Sequence, residues 1–161
     1  MGLGAFLALS LFLFIGFHSV LQLSSNHFQC TLTQPAFTLR WIHSVEKELW
    51  QENFQISGQQ LLLTSTQFKT FGAGTPSNGK GVMSKEGWLH YSVELFLPVL
   101  NWVVSRNVES TLITEQGQWL IFKDFDDYSE IKIQVIRLPL WQYFIQESCD
   151  DYFEQPWCTY W

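Results

Sequence analysis

The chain has 161 residues, of which 17% are aromatic and 15% charged, and its formal net charge is −6 at pH 7. This length gives room for one domain of ordinary size, and so high an aromatic content argues against intrinsic disorder. The acidic balance, with no cluster of lysine and arginine to reverse it locally, argues against nucleic acid as a partner.

The N-terminus is an uncharged apolar stretch. Residues 2–17 consist largely of leucine and phenylalanine, and the first Lys or Arg of the chain is Arg40. We predict that residues 1–23 form a hydrophobic helix, which is either a cleaved signal peptide or an uncleaved anchor in a bacterial inner membrane. Both alternatives place the rest of the chain in the periplasm. A third interpretation is a buried helix of the core.

Residues 30–138 alternate between apolar and polar side chains in short runs that are separated by turn residues. This pattern predicts an all-β domain, an antiparallel β-sandwich or partly open barrel of about eight strands. The predicted strands are 37–43, 50–56, 60–69, 88–97, 101–106, 110–114, 119–122 and 131–138. Residues 139–161 hold eight aromatic residues. We predict that this tail packs on the domain, and the alternative is a contact with a protein or a bilayer interface.

The three cysteines, Cys30, Cys149 and Cys158, fit an oxidising compartment. A bridge from Cys30 to the C-terminal tail and a bridge between Cys149 and Cys158 are both allowed, and one thiol is left over. The cysteines lack metal-ligand spacing, the histidines are isolated, and the acidic loop 124–130 lacks the glycine and distal glutamate of a calcium loop. We therefore predict no metal and no cofactor.

The most informative polar residues are His43 and Glu52. Strand alternation places each of them on the apolar face of its strand. If the residues that pair have numbers summing to 95, Trp41 faces Phe54 and His43 faces Glu52. Such a pair is either a structural contact that closes the core or the polar floor of a pocket or docking site, which responds to pH if the histidine titrates.

The sequence contains no recognisable catalytic motif. Ser44 follows His43 directly, but neighbours in a strand point to opposite faces, so the two cannot act as nucleophile and base. The loop Gly72-Ala73-Gly74 is too short and wrongly placed for a dinucleotide-binding turn. Its backbone N–H groups could hold an anion, and the alternative is a tight turn or bulge. We therefore predict that the protein is not an enzyme.

The string Phe37-Thr-Leu-Arg-Trp-Ile-His43-Ser-Val-Glu-Lys47, followed by Trp50, Glu52 and Gly72-Ala-Gly-Thr-Pro76, resembles a bacterial family known as domain of unknown function 1850. The resemblance covers roughly residues 30–138 and departs from the family pattern at Thr75 and in the tail. It implies a small exported protein, of a kind often encoded beside tripartite (TRAP) transporters of the TAXI type. Together with the strand pattern, it predicts a site comprising His43, Ser44, Glu52, Gly72, Ala73, Gly74 and Arg106.

These expectations combine into one predicted function. The chain would be a non-catalytic periplasmic accessory or assembly subunit of a TRAP-TAXI-type solute transporter, with the His43/Glu52 end beside loop 72–74 as its contact surface. Its partners would be the transporter membrane subunit or binding protein, and the inner membrane through the N-terminal helix. The alternative function is a periplasmic module that binds a small carboxylate anion at loop 72–74.

Overall fold

The computed structural model describes residues 16–71, 75, 81–84 and 87–153. No helix within these ranges is long and apolar enough to cross a membrane. The strands are β1 (Phe17–Ser25), β2 (Phe28–Leu32), β3 (Ala36–Ile42), β4 (Leu49–Ser57), β5 (Gln60–Phe68), β6 (Val82–Met83), β7 (Leu89–Leu97), β8 (Leu100–Val103), β9 (Thr111–Thr114), β10 (Gly117–Trp119) and β11 (Glu130–Pro139). The helices are α1 (Ile121–Asp124) and α2 (Leu140–Tyr143), and Cys149–Tyr152 is a 3₁₀ turn.

The strands form two antiparallel sheets. The smaller sheet has the order β2-β1-β11-β8, and the larger sheet has the order β10-β9-β3-β4-β5-β7-β6. The predicted antiparallel all-β class is therefore confirmed, and the strands form two sheets and not a closed barrel. The predicted N-terminal helix is not found among the described residues, and residues 1–15 lie outside them.

Both sheets contribute to one main core. Leu21 and Leu23 of the smaller sheet are fully buried in the same cluster as Leu39 and Phe54 of the larger sheet. A second cluster lies at one end of the larger sheet and consists of Trp50, Phe68, Leu89 and Tyr91. Leu23, Leu39, Phe54 and Tyr91 alternate along their strands with polar neighbours, which is the pattern expected of a sheet with one buried face.

The predicted hydrophobic helix, residues 1–23, overlaps strand β1, and its residues 17–23 form part of that strand instead. Phe17 to Leu23 lie in β1, which pairs with β11 on one side and β2 on the other. Val20 and Leu21 point to opposite faces of the sheet, and both are buried. The strands run from residue 17 to residue 139, whereas the predicted β-sandwich domain spans residues 30–138.

The C-terminal segment is tied to the domain by a disulfide between Cys30 and Cys149. The pairing of Cys30 with the tail is therefore the one the structure contains, and Cys158 lies outside the described residues. Thr31 N donates to the Glu147 carbonyl oxygen at 2.9 Å, next to the bridge. Phe153 is buried in the main core. The segment up to Phe153 packs on the domain through both covalent and apolar contacts.

Candidate functional site

The β3–β4 hairpin has a different register from the predicted one. Trp41 lies opposite Trp50, and Leu39 lies opposite Glu52. Paired numbers therefore sum to 91 and not to 95. The predicted pairing of His43 with Glu52 is therefore wrong. Because the error is an even number of residues, each side chain stays on its predicted face.

The turn between β3 and β4 sets this register. His43 N donates to the Glu48 carbonyl oxygen at 2.8 Å, and Lys47 N donates to the His43 carbonyl oxygen at 2.9 Å. Lys47 adopts a positive φ of 58°, which reverses the chain within four residues. The predicted register would have left residues 44–51 in the loop and removed ladder hydrogen bonds, so the tighter turn is favoured.

His43 lies just beyond β3, and its side chain has two partners from its own hairpin. Its Nδ1 contacts Oε2 of Glu46, three residues later in the turn. Its ring stacks on that of Trp50, with the ring centres 5.1 Å apart. Ser44 is exposed in the turn. Since His43 pairs with Glu48 along the backbone, Glu52 lies four residues further along β4, about 13 Å away at the usual strand rise.

Glu52 lies on the core-facing side of β4, between the two apolar clusters. Its strand neighbours on that face are Leu39 of the main core and Thr66, and Thr66 in turn lies opposite Tyr91 of the second cluster. Burial in these surroundings raises the pKa of the Glu52 carboxyl from 4.5 to about 7. The acid is thus a destabilising group inside the sheet whenever it is ionised.

The second cluster is a continuous set of aromatic contacts. Trp50 packs on Phe68 at 4.8 Å, Phe68 stacks on Tyr91 at 5.5 Å, and Phe71 meets Tyr91 edge-on at 6.4 Å between ring centres. The Nε1 of Trp50 donates to Thr66 Oγ1 at 2.8 Å, which satisfies the indole N–H inside the cluster. The cluster is therefore a set of packed aromatic rings at one end of the larger sheet.

Exposed apolar side chains surround the second cluster. β3 ends, β4 begins, β5 ends and β7 begins at this end of the sheet, so the residues that follow or precede these strands come together there. We call this surface the aromatic end. It comprises the buried Trp50, Phe68, Leu89 and Tyr91 and the exposed Val45, Leu49, Phe71, Val82 and Met83.

The loop that contains Gly72, Ala73 and Gly74 starts at the aromatic end, although these three residues lie outside the described ranges. Phe71, just before the loop, packs on Phe68 and Tyr91. Gly81, on the far side, is so close to Tyr91 that a Cβ there would lie 2.4 Å from the ring. Both flanks of the loop therefore contact one tyrosine, and a side chain at position 81 would displace it.

Arg106 contacts the acidic loop 124–130 through its backbone and its side chain. Its backbone N donates to Asp127 Oδ1 at 2.6 Å, and its guanidinium lies 3.7 Å from Asp127 and 3.8 Å from Asp126. Asp124 accepts a hydrogen bond from Trp119 Nε1 at 2.5 Å. The carboxylates of Asp124 and Asp127 thus accept hydrogen bonds from the protein, and no group of three His, Cys, Asp or Glu in the described residues could hold a metal ion.

A shallow pocket of about 420 Å³ lies elsewhere, along β3, β4 and β9, and its lining includes Thr38, Asn53, Thr64 and Glu115. Thr38 Oγ1 donates to Asn53 Oδ1 at 2.6 Å, and Asn53 Nδ2 donates to Ser65 Oγ at 2.8 Å. Two of the polar lining side chains, those of Thr38 and Asn53, thus already share a hydrogen bond. Phe71, Val82 and Met83 were not among the predicted site residues, and Val82 and Met83 form a two-residue strand that is too short to show a period.

Comparison with known proteins finds one matching family. Residues 37–121 match the family described as a domain of unknown function (DUF1850). The match runs from β3 to the start of α1, so it includes the larger sheet and its aromatic end, whereas β1, β2, β11 and the C-terminal segment lie outside it. No curated protein and no solved structure matches the chain.

Proposed function

The chain belongs to the family described as a domain of unknown function (DUF1850), and from this premise we propose that it is a non-catalytic accessory subunit of a TRAP-TAXI-type transporter. The domain acts in the periplasm and docks on the transporter membrane subunit or its binding protein. The docking surface is the aromatic end. The transporter partnership comes from the resemblance described above, and the surface comes from the geometry.

One observation carries the proposal, namely the exposed apolar rim of the aromatic end. Phe71, Val82 and Met83 are each more than 60% exposed beside a buried aromatic cluster. Exposed apolar patches of this kind mark interaction surfaces, and aromatic residues and methionine are enriched in protein interfaces. β6 is also an edge strand of only two residues, so side chains and not strand addition would provide the contact.

Two further observations support parts of the proposal. The Cys30–Cys149 disulfide fits an oxidising compartment such as the periplasm. The separation of His43 from Glu52 leaves neither residue positioned to act with the other as an acid and base. The alternative function, carboxylate binding at Gly72–Gly74, remains a prediction.

Co-purification tests the proposal. We expect the tagged full chain, extracted from its native membranes in detergent, to retain a TRAP transporter subunit. The double substitution Phe71→Ser with Met83→Ser should lower the retained amount at least about tenfold, because it removes two exposed apolar contacts. Tyr128→Ser is the matched control, since Tyr128 is 84% exposed on a different loop. A chain that comes out alone, or equal retention by both variants, would contradict the proposal.

A further inference from the structure

A second apolar surface lies where the chain enters strand β1. Phe17, the first residue of β1, lies opposite Pro139 of β11, and helix α2 follows β11 directly. The Gly16 carbonyl oxygen accepts a hydrogen bond from Leu140 N at 2.9 Å. This hydrogen bond holds the start of helix α2 next to Gly16, where the uncharged apolar residues 2–15 join the domain.

Large apolar side chains face solvent at this point. Phe17 is 55% exposed, Trp141 41%, Phe144 72% and Ile145 71%. We call these four residues the entry patch. Residues 138–146 contain no charged side chain. The only polar side chains in residues 138–146 are two glutamines and a tyrosine. So apolar a segment is unusual for a surface that contacts only water.

The entry patch is held in place and is not a loose tail. The turn after α2 is closed by Ile145 N donating to the Gln142 carbonyl oxygen at 3.2 Å. The rings of His18 and Tyr143 meet edge-on at 5.1 Å. Four residues after Ile145 the chain reaches Cys149, which is bonded to Cys30. Because both ends of the segment are fixed, its apolar side chains cannot easily fold back onto the core.

The sequence on the other side of Gly16 indicates what covers this patch. Residues 2–15 are uncharged and largely leucine and phenylalanine, and no Asp, Glu, Lys or Arg occurs before Arg40. Such a stretch partitions into lipid. A surface that binds residues 2–15 therefore also lies next to the entry patch, because Gly16 joins these residues to Phe17 of the patch. Tryptophan and tyrosine are also the residues that prefer the boundary between hydrocarbon and water.

We propose that the entry patch rests in the interfacial layer of a phospholipid bilayer. The Arg137 guanidinium lies 5.2 Å from the Phe17 ring centre, at the rim of the patch, where it can reach a lipid phosphate. The net charge of −6 gives no electrostatic attraction to anionic lipid, so apolar contact supplies the binding. The inference does not depend on the proposed transporter partner, because it concerns lipid and a different surface.

Quenching in vesicles tests this proposal. One variant of the purified full chain would carry a fluorescent amino acid in place of Phe144, and a control variant would carry it in place of Tyr128. Each would be reconstituted in phosphatidylcholine vesicles that contain spin-labelled lipid, which quenches the fluorescence. We expect several-fold stronger quenching at position 144 than at position 128, and we expect it to persist from about 0.1 M to about 1 M salt. No transporter protein is present, so failure here is distinct from failure of the proposed function.

A matched pair of substitutions sharpens the test. Ile145→Asp should reduce the quenching at position 144, whereas Val103→Asp, at another half-exposed apolar position, should leave it unchanged. Equal quenching at positions 144 and 128 would overturn the proposal, as would quenching lost at high salt. Emission at position 144 that depends on protein concentration without quenching by lipid would also overturn it, because it would show a second copy of the chain on the patch.

Discussion

Replacing Cys30 or Cys149 by serine should lower the free energy of unfolding by roughly 2–5 kcal/mol. The bridge joins residues 119 positions apart, so it removes much of the conformational freedom of the unfolded chain. It also holds β2 against the 3₁₀ turn, and without it Phe153 and Tyr152 would leave the aromatic group around Trp119 more easily. Urea denaturation of each variant, followed by tryptophan fluorescence, measures the loss.

Cys158→Ser is the matched control for this prediction. With Cys30 and Cys149 bonded to each other, the third cysteine has no partner within the chain, and its replacement should leave the free energy of unfolding unchanged. Reduction of the wild-type protein should reproduce the effect of the Cys30→Ser change. A loss caused by Cys158→Ser, together with wild-type stability in Cys149→Ser, would contradict the observed pairing.

Glu52→Gln should make the protein more stable at neutral and alkaline pH. Burial raises the pKa of the Glu52 carboxyl in the folded protein to about 7, above its ordinary value of 4.5. The folded state therefore keeps a proton that the unfolded state releases, and the free energy of unfolding falls as pH rises from about 4.5 to about 7. A shift of this size corresponds to about 3 kcal/mol, and partial solvation of the side chain reduces it to about 1–3 kcal/mol.

Urea denaturation of wild type and Glu52→Gln at about pH 4 and about pH 8 checks this expectation. The two proteins should differ little at the lower pH, where glutamate is protonated in both states, and should diverge at the higher pH. Glu115→Gln, at an exposed position, should follow the wild type at both pH values. Parallel behaviour of wild type and Glu52→Gln across the range would show that Glu52 is not desolvated.

Side-chain alternation predicts the faces of the strands but not their register. Leu39 and Trp41 were expected on the core-facing side of β3, and Leu39 is fully buried there while Trp41 packs against both core clusters. The observed register differs from the predicted one by four residues. Alternation cannot distinguish the two registers, because a shift by an even number of residues keeps every side chain on the same face. The turn geometry decides the register, and the positive φ of Lys47 has no distinctive sequence signal.

The site was predictable in part for the same reason. The alternation pattern placed Glu52 on an apolar face, and the structure places it between the two core clusters. The aromatic end, however, depends on which stretch of the larger sheet the second sheet leaves uncovered. Val82 and Met83 belong to a two-residue edge strand within a glycine-rich region, and such a short strand has no detectable period. The start of β1 was expected in a helix because the apolar residues 2–17 run directly into it.

The docking role of the aromatic end is tested most directly by site-specific crosslinking in native membranes. A photoreactive amino acid would replace Val82, which is 68% exposed in that surface, and in a parallel strain Tyr128. We predict that illumination joins position 82, but not position 128, to a subunit of a TRAP transporter, identified by mass spectrometry of the adduct. Absence of any transporter adduct at position 82, or the same adducts at both positions, would contradict this role.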